Sequence, residues 1–187
     1  MSTGYEKVSY GNDLAFVDDL INEMLLILVE EASDDFWKIL KYGSPDALIN
    51  PTYTISINDK RAMVRQNNVD KEGNIITKVK TAKFNNDIST DAHSEIRLFN
   101  AAWGASSQNR YELILGLEVV SHNDSLILDG VGKQTINVLR HEIYRIFDNS
   151  YVNKSIDLMT NIDTRGVIHL FNDSYQGYKF SLKTISG

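Results

Sequence analysis

From Asn12 to Tyr42 the chain contains neither Gly nor Pro, and Leu14, Val17, Ile21, Met24, Leu25 and Leu28 recur in it at steps of three and four. Such steps line one side of a helix, and Asp18, Asp19 and Glu23 interrupt the run on the opposite side. Asn12 or Asp13 is a suitable N-cap, and Ser33-Asp34-Asp35 offers a break with a second cap. Phe36, Trp37 and Leu40 carry the stripe on until Gly43 and Pro45 stop it. The spacing therefore predicts one long helix, or two, over 12–42, with Phe36 and Trp37 in the core. The period then changes. Tyr53-Thr54-Ile55-Ser56-Ile57 alternates every second residue and predicts a strand. Segments 61–68 and 74–84 flank the turn-forming Asp70–Asn74 and predict a hairpin. Its strands carry Lys and Arg, as expected of a projecting arm or an edge ribbon.

Residues 85–109 are polar and turn-rich apart from Ile96–Phe99 and Trp103, and predict a long loop. Arg110–Ser121 is the strongest strand pattern. It sets Tyr111, Leu113, Leu115, Leu117 and Val119 on one face, with Ile114 and Val120 partly covering the other. A second helix is predicted over 133–148, buried through Ile136, Leu139, Ile143, Ile146 and Phe147, before strands at 154–160, 166–171 and 177–185. The order predicts an α+β fold. A long N-terminal helix and a second amphipathic helix would pack on one mainly antiparallel sheet, in a single domain over 1–187 with 61–84 as its arm.

Composition narrows the chemistry. The chain has no run of 18 apolar residues to span a membrane, no leader-like N-terminus, and no Cys among its 187 residues. Disulfide scaffolds, Cys-ligated zinc and thiol catalysis fall together. The net charge of −6 is unevenly placed. Residues 1–50 hold ten acids against three Lys, whereas 60–84 hold seven cations against Asp70 and Glu72. The acidic total argues against a broad phosphate-gripping face. His141-Glu142 resembles the start of HExxH, but Arg145 stands where the second His should be. The Gly130–Lys133 segment lacks the first Gly and the Ser or Thr of a phosphate loop. No Lys has an acid two residues before it, which removes the metal-dependent nuclease pattern. Neighbouring acids such as Asp18-Asp19 and Glu30-Glu31 point in different directions and form no catalytic dyad. No motif demands an enzyme, and no cofactor or metal is implied.

The order of elements (Asn12–Tyr42, Tyr53–Ile57 with the 61–84 hairpin, Tyr111–Ser121, Lys133–Asp148, Tyr178–Ile185) resembles the tail terminator, or tail-completion, proteins of long-tailed bacteriophages. It is more loosely similar to neck and head–tail joining proteins. The 85–109 loop and the strand pair at 154–171 depart from that pattern. The resemblance implies a ring, usually a hexamer, that caps the tail tube and meets the head connector. DNA would touch it only in passage, and it would be made in the host cytoplasm and reside in the virion. A head-to-tail ring needs two complementary patches on each subunit. Arg61, Arg65, Lys78 and Lys80, set against Asp18, Asp19, Glu30 and Glu31, are the expected pair, with Trp103 as the expected partner anchor. The alternatives are a head-side connector adaptor, a small acidic inhibitor or immunity-type protein, and an enzyme without a recognised motif.

Overall fold

A computed structural model describes residues 13–81, 94–107, 110–148, 150–153, 158–162, 167–172 and 175–186. The first helix, α1 (Asp13–Glu31), buries Val17, Leu20, Ile21, Met24, Leu25, Leu28 and Val29. The chain breaks at Ser33, which turns extended, and its hydroxyl accepts the Phe36 N–H at the start of α2 (Asp34–Tyr42). Two helices thus occupy the 12–42 run. Phe36 and Trp37 are fully buried, edge to face, with ring centroids 5.1 Å apart. Gly43 ends α2 in the left-handed region (φ +58°), donating its N–H to the Ile39 carbonyl.

The next segment corrects two expectations. Tyr53–Ile57 is not a strand. Tyr53 stacks on Tyr42 with centroids 3.7 Å apart, and the Tyr42 hydroxyl accepts the Thr54 N–H and donates to the Thr54 carbonyl. A side chain satisfies the groups that a strand neighbour would have taken. Ser56 and Asp59 then form a capping box that opens α3 (Ile57–Val64). Residues 61–64 are therefore helical, and the expected 61–84 hairpin shrinks to a single bridge between Val69 and Ile75. The Asp70 carboxylate closes that turn by accepting the N–H groups of Glu72 and Asn74. Residues 82–84 lie outside the described ones. β1 (Val79–Lys80) follows, the only parallel strand of the described sheet.

The expected 85–109 loop is also corrected: β2 (Ser94–Ser107) runs through most of it, and 85–93 lie outside the described residues. β2 pairs antiparallel with β3 (Arg110–His122), the strand expected at 110–121. α4 (Thr135–Phe147) buries all five apolar positions expected of it. β4 (Ser150–Asn153), β5 (Leu158–Ile162), β6 (Val167–Asn172) and β7 (Tyr175–Ser186) complete the chain; residues 154–157 of the expected 154–160 strand lie outside the described ones. The sheet runs β1-β2-β3-β7-β5-β4, with β6 also on β7, antiparallel except at β1. Val79, Ile96, Leu98, Leu115, Leu117 and Val119 alternate to the helix side, where they join the buried stripes of α1, α2 and α4 in one core. The Arg140 guanidinium, 4.4 Å from the Tyr178 ring centroid, links α4 to β7. The α+β class holds, with four α-helices among the described residues where two or three were expected.

Candidate functional site

The charged residues sort into those the fold uses and those it leaves bare. On the face of the sheet opposite the core, Glu95, Arg97 and Glu118 are all buried. Register sets Arg97 beside Glu118, and Glu118 beside Lys179. Lys80 Nζ lies 2.5 Å from Glu95 Oε2, and Arg97 Nε donates to Glu95 Oε1 at 2.6 Å. Arg97 Nη1 is 3.6 Å from Glu118 Oε2, whose partner oxygen is 3.4 Å from Lys179 Nζ. Charge thus alternates plus, minus, plus, minus, plus across β1, β2, β3 and β7. Each carboxylate stands between two cations, which is what burying it requires. Phe99 lies on the same face across Gly116, where an added Cβ would stand 2.3 Å from the ring.

A second cluster joins the helices. Glu142 of α4 accepts the Ser33 N–H at 2.7 Å and is held by Arg145 Nη2 at 2.7 Å. The same guanidinium nitrogen donates to the Glu31 carbonyl at 2.6 Å, so one pair satisfies backbone groups on both sides of the α1–α2 break. Burial pushes the Glu142 carboxyl up, but Arg145 and the Ser33 N–H outweigh it and hold the pKa below its ordinary value. Glu142, the acid of the failed HExxH pattern, and Arg145, which stands in place of its second His, thus form a helix clasp.

The third set ties α2 to α3. Lys60 pairs with Asp34 at 2.8 Å, and Lys41 with Asp59 at 3.1 Å. The Ser56 N–H, with Lys41 nearby, keeps the Asp59 carboxyl below its usual range. Part of the complementarity between the acidic first third and the basic segment is therefore satisfied within one chain.

The expected contact residues divide accordingly. Lys80 is corrected from an exposed arm cation to a strand residue engaged by Glu95. Lys78 is half-buried on the approach to β1, where its N–H binds the Met63 carbonyl. Trp103 lies in β2 opposite Leu113, not in a loop, and its side chain is outside the described ones. Asp18, Asp19, Glu30 and Glu31 on α1, Arg61 on α3 and Arg65 at its end are exposed. Among the described residues, no side-chain partner engages Asp18, Asp19, Glu30, Arg61 or Arg65. The structure does not bring the two signs together there.

Sequence reasoning missed Glu95, Arg97, Glu118 and Glu142. The alternation of Glu95-Ile96-Arg97-Leu98 was a usable strand signal. Among the described residues, no group of three or more His, Asp or Glu could hold a metal ion, and no helix is long and apolar enough to cross a membrane. No known protein family, curated protein or solved structure matches this chain.

Proposed function

We propose that this chain is a structural virion subunit that assembles into a ring, terminating the tail tube of a long-tailed bacteriophage where it joins the head. The observation that carries the reading is the order of elements. A long N-terminal helix precedes the central strands, and α4 is inserted between β3 and its sheet neighbour β7. That order follows the tail terminator pattern named above, although the basic hairpin of the pattern is replaced by α3 and a short turn. Exposed charges of both signs without side-chain partners among the described residues support self-association, since a head-to-tail ring needs two unlike patches. The net charge of −6 suits a ring that lets DNA pass without holding it.

The test is the mass of the purified chain by light scattering at low and high salt, alone and with tail tubes. Particles several times 21.2 kDa, or rings that close on tube ends, are the expected result. A chain that stays monomeric in both settings overturns the reading. Capture by heads rather than tubes would assign it to the head side of the neck. A monomer that binds one basic protein would assign it to the acidic inhibitor class.

A further inference from the structure

Two helices present faces that the other described residues leave uncovered. On α1, Leu26 is 58% exposed. Asp19, Asn22 and Glu30 lie within about 40° of it around the axis, with Asp18 on the shoulder. All four are exposed. On α3, Ile57 is 49% exposed and begins a stripe at four-residue steps that continues through Arg61 to Arg65, both exposed. Each face has one large aliphatic side chain next to charges of a single sign. No described side chain of the same chain pairs with those charges.

Resting on the self-assembly read above, we propose that α1 of one copy docks antiparallel along α3 of a second copy, with Leu26 against Ile57. The spacing of the two faces carries the register. Leu26 to Asp18 and Ile57 to Arg65 are both eight residues, about 12 Å of helix. With Leu26 on Ile57, Asn22 meets Arg61, and the Asp18–Asp19 pair meets Arg65. A parallel arrangement would put Glu30 on Arg61 and then run past Glu31, where α1 ends. Only the antiparallel arrangement keeps the stripe within α1 while it runs from Ile57 to Arg65, the residue that caps α3. The occupant is a second copy because a complementary face is present in this same chain, with an aliphatic residue to meet Leu26 and, eight residues on, a cation to meet Asp18–Asp19. The aliphatic pair supplies a site from which water is excluded, and the charges steer encounter and set register.

Sedimentation velocity of the full chain over a concentration series tests the contact. Arg65→Glu alone, and Asp18→Lys with Asp19→Lys, should each raise the concentration for half-assembly by roughly tenfold or more. The combined variant, with the signs exchanged, should restore assembly, which a merely structural effect would not do. Leu26→Ser should weaken it as well. Thermal melts of the variants should match the parent, since all these positions are exposed. Rings that respond in this way support both the contact and the ring. The same responses in a particle that stops at a dimer keep the contact and overturn the ring. Rings indifferent to every variant overturn the contact and leave the ring standing. A chain monomeric in all conditions overturns both.

Discussion

On the helix side of the sheet, Ile96, Leu98, Leu115, Leu117 and Val119 are buried among apolar side chains. On the other side the same two strands bury Glu95, Arg97 and Glu118 to a similar depth. The apolar face is held by forces that have no direction, so a side chain of similar volume serves nearly as well. The ionic face is directional, and each member answers for the desolvation of its neighbours. The two faces together also fix register. A slip of one residue in β2 would carry Glu95 and Arg97 into the helix core and Ile96 out of it. The apolar face says how strongly the strands associate; the ionic face says in which register.

The largest effect should come from removing the central cation. Arg97→Ala leaves Glu95 and Glu118 buried with fewer partners and should cost about 3–5 kcal/mol in urea unfolding. Replacing all three together (Glu95→Leu, Arg97→Met, Glu118→Leu) should return most of that loss, because Lys80 and Lys179 can reach water. A triple variant less stable than Arg97→Ala would show that the network adds net stability and does more than fix register.

The matching change on the apolar face is Leu98→Ala, expected to cost about 3 kcal/mol through lost transfer energy and the cavity left behind. Leu98→Met should cost under about 1.5 kcal/mol. Similar losses for the two would mean that this face is as particular about shape as its counterpart is about charge. A smaller change probes the boundary between the two kinds of packing. Gly116→Ala would drive a methyl group into the Phe99 ring, buried beside the ionic row, and should cost about 2 kcal/mol. Adding Phe99→Leu should recover part of it, and no recovery would place the strain elsewhere.

This contrast explains which elements could be read in advance. α1, α2, α4 and β3 bury apolar residues at the spacing of their own backbone, so a local pattern sufficed. β2 reads as a loop in the sequence because 85–109 is polar and turn-rich, and Glu95 and Arg97 add to that polarity. Their partners Lys80, Glu118 and Lys179 come from other strands and are not visible along one segment. α3 is short and polar, and its helical signal lay in the Ser56–Asp59 capping box rather than in apolar spacing. The alternation in Tyr53–Ile57 competed with that signal and lost to the Tyr42 contact. The exposed charges Asp18, Asp19, Arg61 and Arg65 were legible as surface. Their spacing against Leu26 and Ile57 became legible only once 57–64 was known to be a helix.

Glu142 is the ionic principle reduced to one carboxylate between helices, and its effect should be the smallest. Its folded pKa lies below the ordinary 4.5, because Arg145 and the Ser33 N–H outweigh the cost of burial. The fold therefore favours the ionised form. The stability it contributes is fully present above about pH 4.5 and is lost as pH falls through the folded value. Glu142→Gln keeps an acceptor for the Ser33 N–H but no charge for Arg145, and should cost about 1 kcal/mol at neutral pH. That deficit should shrink on acidification, since the parent loses the same charge by protonation. Asp46, Asp59 and Asp70, whose pKa values are also lowered, contribute equally to both proteins and cancel in the difference. Urea midpoints of parent and variant over the acid range measure that difference directly. A gap that stays constant as pH falls would mean that the clasp works through shape and hydrogen bonding, as the apolar face does, and not through charge.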